Sequence, residues 1–469
     1  MGNIGKLKRK IGVEIQAGFW YTVGNFLLKG IVFITLPILT RLMTPSDFGL
    51  VSLYTTWVAV FTIFVGLCLQ SSIIRGYNDF KKDKENYFSS VLFLSLISFI
   101  TVSFVIVLFR NYISDALGFS FPIIILILLQ SYFTFIIEFY NLKYIAQYLY
   151  KKSLFISLSN TIVGTLLAIA LVMTSTENKY MGYIYGMMIP SFIIGCIILI
   201  RGLYTGKKLI YKYWNYALKL SLPIIPHLLF GLILAQAYRV MIDRYIGNEA
   251  VGIYSLAFNL GLISSVILTS LNNAWVPWFY KKMDENDRTT IEKASKLYQY
   301  LFVLITIAII LITPELVIVM APADYREAAW IVPIIVVSYY FQFLYTLQVN
   351  IQFYLKKNIF IPIGTIIAGL ISIGLNFYYI PIYGYSAAAY ITLVSYILLF
   401  LMHFSVVKYL LKSSVYKFSF FIQPSVLVLA STILYYFVSD LWILRYTILL
   451  AIAVYLLNRY KKSILSYLK

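Results

Sequence analysis

Fourteen stretches of about twenty residues in this chain are apolar almost throughout, and nothing else in the sequence restricts the fold as strongly. A helix of that length covers the roughly 30 Å of a bilayer's hydrocarbon core, so each run reads as a transmembrane helix. The runs are Phe19–Leu39, Leu50–Gln70, Phe88–Phe109, Phe121–Tyr140, Leu154–Thr174, Tyr180–Ile200 and Leu220–Met241, then Val251–Trp275, Leu297–Met320, Ile331–Ile351, Ile359–Ile380, Ser386–Val407, Phe418–Val438 and Trp442–Tyr460. A length of 469 residues alone would suggest about three soluble domains. Composition overrules that, because 61% of the residues are hydrophobic and only 12% charged, against about 45–50% and about 25% in soluble domains. The basic N-terminus (Lys6, Lys8, Arg9, Lys10) precedes a run too long for a signal-peptide core, with no small-residue cleavage site after it. An uncleaved first helix is expected.

The net charge of +20 is compatible with nucleic-acid binding. The basic residues argue otherwise, because they sit in short clusters between apolar runs, as topology-setting charges do. With fourteen crossings, thirty of the 38 Lys and Arg fall in alternate segments on one side, and seven on the other. Lys29 alone lies mid-helix. Basic residues mark the cytoplasmic side, so both termini are placed in the cytoplasm. No loop is long enough to fold as a domain, and the outer turns leave no room for an extracellular catalytic lobe.

The chain also repeats itself. R-L-M-T-P-S-D-F-G from Arg41 and R-Y-I-G-N-E-A-V-G from Arg244 both place arginine eight residues before glycine, each at the outer end of the first helix of a six-helix block. Lys151-Lys152 and Lys356-Lys357 precede the fifth helix of each block. Six is even, so the halves share orientation. Carriers built this way hold substrate at the repeat interface and alternate access by rocking. The expected fold is all-α and integral to the membrane: residues 1–203 and 204–412 as two parallel-related six-helix halves, and 413–469 as an additional pair.

Motifs for chemistry are missing. Gly202 to Lys208 (G-L-Y-T-G-K-K) has the wrong glycine spacing for a phosphate-binding loop and no hydroxyl after the lysine. His227 and His403 are isolated in different helices, and Cys68 and Cys196 lie within apolar runs, so no metal-ligand spacing or disulfide framework exists. No catalytic residue, metal or cofactor is expected.

What remains is the polar residues inside helices, where a charge costs at least a few kcal/mol and usually faces a cavity or a partner. Lys29, with Asn25 one turn before it, reads as an anion-binding group or as half of a structural ion pair. Arg239, one turn before Asp243, reads as a phosphate-gripping or gating cation, or as Asp243's partner. Pro223 and Pro226 interrupt the inner end of the same helix and suggest a hinge or an irregular start. Arg75 could meet a diphosphate headgroup, for which Arg has suitable geometry, or snorkel to the interface. Glu138 is the candidate for proton or cation coupling, with an ion pair to Lys143 as the alternative. His227 is a candidate relay or a packing residue. Gln70, Gln130, Gln236, Asn259, Asn272, Gln342, Gln348 and Asn376 could bond sugar hydroxyls or neighbouring helices.

The stretch Thr40-Arg41-Leu42-Met43-Thr44-Pro45-Ser46-Asp47-Phe48-Gly49 resembles the T-R-x-L-x-P-x-x-F-G pattern of polysaccharide exporters in the multidrug/oligosaccharidyl-lipid/polysaccharide flippase superfamily. Gln70–Arg75 (Q-S-S-I-I-R), Ser221-Leu222-Pro223 with Pro226, and Gly247–Leu256 extend the resemblance along the whole chain. Many relatives carry Asp-Arg where this chain has Tyr238-Arg239, which keeps the cation and loses a carboxylate. The resemblance implies a MATE-like fold. It also implies flipping of an undecaprenyl-diphosphate-linked oligosaccharide (an O-antigen, capsule or exopolysaccharide unit) across the bacterial cytoplasmic, or inner, membrane. The implied partners are that glycolipid, membrane lipid and other polysaccharide-assembly proteins, with no nucleic acid. Two alternatives stay open. A drug or cation antiporter of the superfamily should carry more intramembrane carboxylate. A membrane polymerase or glycosyltransferase should carry a large outer loop.

Overall fold

The computed structural model describes residues 20–468 other than 21, 22, 25, 207, 208 and 414, and helices are the only regular elements among them. Twelve of these helices are long and apolar enough to cross a membrane, so the chain is a multi-pass membrane protein. Most of the expected runs are helical wherever they are described. The described residues fall into two compact units, divided between Leu232 and Ile233.

The first unit starts with α1 (residues 26–42), α2 (Pro45–Gly66), α3 (Ile73–Asp79), α4 (Lys84–Leu108) and α5 (Arg110–Leu117). It continues with α6 (Phe121–Ala146), α7 (Tyr150–Thr174), α8 (Lys179–Thr205) and α9 (Tyr211–Ser221). The Thr44–Asp47 portion of the exporter-like motif is a helix start. Thr44 Oγ1 accepts from the Asp47 amide at 3.2 Å, the Asp47 carboxylate reaches back to the Thr44 amide at 3.4 Å, and Pro45 opens the helix. The same turn receives the start of α8, since Lys179 Nζ donates to the Leu42 carbonyl at 2.8 Å. Helices α7 and α8 cross closely because Gly182 and Gly186 are four apart: a Cβ on Gly186 would lie 2.2 Å from Ala168 Cα.

Two elements of the first unit depart from the expected runs. The second run does not continue to Gln70. It stops at Gly66, passes through Leu67 and Cys68 with φ of 46° and 52°, makes a 3-10 turn (Leu69–Ser72) and resumes as α3. Adjacent left-handed non-glycine residues are costly. Packing holds them: Gly66 lies flush against the Phe135 ring of α6, and Tyr87 Oη donates to Ser72 Oγ at 2.8 Å. The seventh run begins earlier than expected, as α9. Tyr213, Ala217 and Ser221 form its buried stripe. Trp214 Nε1 donates to the Ser90 carbonyl at 2.8 Å, and the Tyr213 and Tyr216 hydroxyls donate to Asp83 and Asp79. A 3-10 turn containing Pro223 then leads into α10 (Ile225–Tyr245), in whose interior the unit boundary falls.

The second unit continues with α11 (Asn248–Asp284), α12 (Arg288–Leu311), α13 (Thr313–Met320), α14 (Ala328–Tyr354), α15 (Phe360–Tyr383), α16 (Ser386–Ser405), α17 (Ser419–Val438) and α18 (Trp442–Leu468). The expected single run Leu297–Met320 is two helices. Pro314 has no amide to donate and its ring clashes with the carbonyl four residues back, so the helix restarts at Thr313. α14 is the most buried span and packs against α11, α16 and α17. At its start α17 is bolted down, with Tyr435 and Tyr436 hydroxyls donating to the carbonyls of Ala329 at 3.1 Å and Trp330 at 2.7 Å.

Candidate substrate-translocation site

In the first unit, Lys29 is exposed on α1, while Asn25 lies outside the described residues. Arg75 is exposed on α3, its Nε 3.7 Å from Asp79 one turn on. An exposed pair of this kind is worth about 0–1 kcal/mol, so it leaves the guanidinium free to reorient. Glu138 on α6 is solvent-accessible, although Phe135, Ile136, Ile137, Phe139 and Tyr140 around it are buried and protein walls it on most sides. The pairing that sequence suggested for it is formed by another acid: Lys143 Nζ lies 2.8 Å from Glu85. Lys143 thus bonds across to α4, with its ammonium also 4.7 Å from the Phe88 ring centroid. His227, half-buried at the start of α10, has a buried Nδ1 without a hydrogen-bond partner among the described residues.

In the second unit, Arg239 is buried rather than displayed. Its guanidinium donates to Gln236 Oε1 at 3.3 Å and lies 5.7 and 5.6 Å from the ring centroids of Tyr238 and Phe258. Such contacts offset part of the desolvation cost of the cation. Asp243, one turn on, is half-buried. Several of the polar candidates serve helix packing instead: Tyr54 donates to Gln130 at 2.7 Å, Asn350 donates to Asn272 at 2.8 Å, and Asn376 donates to the Ser372 carbonyl. The structure places Arg75 and Glu138 on packed elements of the first unit, since α6 packs against both the 3-10 turn and α3. Arg239 and Asp243 share one helix of the second.

Two features escaped sequence reading. The first is the break in the second helix, for which Gly66 was the sole local sign. The second is the clamp between Arg445 on α18 and Glu315 on α13, at 2.7 and 2.6 Å, with a further bond from Arg445 to the Leu311 carbonyl. Two opposite charges near the ends of apolar runs are the one local signal for it.

Long apolar helices in two compact units, some bearing accessible charges, are the architecture of a membrane carrier. Residues 15–283, more than half of the chain, match the family described as polysaccharide biosynthesis protein, and the chain belongs to that family. A Haemophilus influenzae protein described as Lsg locus putative protein 1 is 24% identical over 350 residues, 72% of this chain and 84% of its own length. Among solved structures, lipid II flippase MurJ in an inward closed conformation superposes with a TM-score of 0.70 at 15% identity, over 96% of this chain and 100% of that one. An inward-facing multidrug resistance MATE family transporter of the MOP superfamily superposes with 0.62 at 14% identity, over 82% of this chain and 96% of that one. At such identities the likeness establishes the fold, which is the one MurJ and MATE transporters share.

Proposed function

We propose that the chain is a flippase that carries a polyprenyl-diphosphate-linked oligosaccharide from the inner to the outer leaflet of the bacterial cytoplasmic membrane by alternating access. Family membership carries this reading, and the fold it shares with MurJ supports it. The physical argument agrees. A diphosphate cannot cross hydrocarbon uncompensated, and this chain offers cations inside or beside its helices. Lys29 is the first of these, exposed within an otherwise apolar α1, with Asn25 as its neighbour on the sequence. Arg75 and Arg239 complete the anion-binding set, while Glu138, Asp243 and His227 are the coupling or gating set. Counting the helix at residues 26–42 and α18 as crossings, added to the twelve apolar spans, agrees with the fourteen of the sequence reading. With fourteen crossings, the positive-inside rule favours both termini in the cytoplasm.

Deletion of the gene tests the function. Lipid-linked repeat units should accumulate on the cytoplasmic side, and export of the glycan should stop. Normal export without accumulation would sink the reading. The antiporter alternative predicts instead that deletion leaves glycan export intact and raises drug sensitivity.

A further inference from the structure

The exposed faces of the spanning helices are mostly apolar, as contact with acyl chains requires. α15 shows Ile363, Ile367, Leu370 and Ile371 in this way, and α7 shows Ile162, Val163 and Leu166. The second half of α11 is different. Thr269, Ser270, Asn273, Ala274 and Pro277 are exposed there, while Ser264, Leu268, Trp275 and Phe279 are buried. The exposed set has helical spacing and so forms one stripe, and no large apolar side chain is among its members. Thr269, Ser270 and Asn273 come before an aromatic group, Trp275, Trp278 and Tyr280, of the kind that marks a membrane interface. They therefore lie within the apolar span, on a face that suits water rather than lipid.

Each polar group of the stripe has capacity to spare. The Thr269 and Ser270 hydroxyls donate back along the helix, to the carbonyls of Ser265 at 2.8 Å and Val266 at 2.9 Å, which leaves their oxygens as outward acceptors. Asn273 adds two amide donors and an acceptor, uncommitted among the described residues. Pro277 has no amide, so the Asn273 carbonyl lacks its helical donor as well. Asn272 is by contrast committed to α14, accepting from Asn350 at 2.8 Å, and that bond fixes the rotation of α11. Ala274 keeps the middle of the stripe shallow. Trp278, two turns beyond Ser270 and so on the same face, is half-buried and packs on Trp275 with ring centroids 4.9 Å apart. Trp275 in turn stacks on Tyr298 at 4.6 Å. No charged side chain interrupts the sequence from Thr269 to Trp278.

We infer that this stripe is a saccharide-contacting face of the second unit, in which Thr269, Ser270 and Asn273 bond sugar hydroxyls and Trp278 lies against a sugar ring. This role rests on the flippase reading, whose glycan it serves. Sugar hydroxyls donate and accept alike, which matches hydroxyl acceptors set beside an amide that does both. The C–H face of a sugar is apolar and suits an aromatic ring. An uncharged stripe has no hold on a diphosphate, so it reads the glycan and leaves the anchor to the cations. A few placed polar groups of this kind set orientation and specificity in ligand sites.

The test compares two probes on the full-length protein in detergent: the lipid-linked oligosaccharide extracted from cells deleted for the gene, and undecaprenyl diphosphate, which carries no sugar. Wild type should bind the oligosaccharide lipid more tightly. In the triple variant Thr269→Val, Ser270→Ala, Asn273→Leu that preference should fall by roughly tenfold or more, and in Asn273→Leu alone by about two- to tenfold, the range for one hydrogen bond. Gel filtration checks that each variant is folded. A folded triple variant with wild-type preference overturns the inference. So does equal weakening of both probes, which marks a structural effect. A wild type that binds both probes alike also overturns it and leaves the flippase reading standing, whereas a wild type that binds neither overturns both.

Discussion

Replacing Glu315 by glutamine should lower the melting temperature of the protein by about 6–12 °C, and the size of that fall follows from the geometry of one clamp. The Arg445 side chain is only 3% exposed. It gives two N–H bonds to the Glu315 carboxylate at 2.7 and 2.6 Å, and a third to the Leu311 carbonyl. Removing one partner of a buried pair costs about 3–5 kcal/mol, because the other charge is left uncompensated. Glu315 itself is 38% exposed, so water can replace part of it and the lower end, about 3 kcal/mol, applies. In a unit of roughly 150–250 residues each kcal/mol moves the midpoint by about 2–4 °C. The assay is a thermal melt of purified protein followed by helix signal or by monodispersity. Replacing both partners, Glu315→Leu with Arg445→Met, should recover most of the loss, since neither charge then remains buried. The pH dependence has a definite sign. The hydrogen-bonded Arg445 guanidinium holds the Glu315 carboxyl below its ordinary value of 4.5. Its stabilisation is therefore complete above that value and is lost as pH falls through the lower folded-state value. The gap between wild type and Glu315→Gln should close on acidification. A Glu315→Gln melt within about 2 °C of wild type at neutral pH would refute the reasoning.

Three further outcomes are expected. Gly186→Leu would drive a side chain into the backbone of Ala168, 2.2–2.3 Å from its Cα and amide nitrogen; no rotamer relieves that clash, and the yield of monodisperse protein should collapse. Thr44→Ala removes the cap of α2 and should cost about 1 kcal/mol, read as a small fall in melting temperature with export unaffected. Lys29→Ala and Arg239→Ala should each impair glycan export at normal protein level; unchanged export by both would remove these residues from the binding set while leaving the function untouched.

How far the sequence reached can be seen at particular residues. The helical runs and their approximate limits were readable because a segment's cost of leaving water depends on its own composition, which is local information. The Thr44-Pro45-Ser46-Asp47 start was also local, since Thr44 and Asp47 satisfy each other's amides within one turn. The split at Thr313 could have been read from Pro314 alone. By contrast, no spacing in the sequence leads from Lys143 to Glu85, nor from Arg445 to Glu315.

The sequence by itself determined that the chain is helical and that it crosses the membrane many times. Tertiary structure alone decided which charges are buried and which stay exposed. A helix apolar on every side carries no periodicity to mark its inner face, so nothing local distinguishes Arg239, enclosed by Tyr238 and Phe258, from Glu138, open beside the broken second helix. That break is tertiary too. Leu67 and Cys68 adopt a conformation that neither residue favours, and they keep it with Phe135 packed against Gly66 and Tyr87 bonded to Ser72.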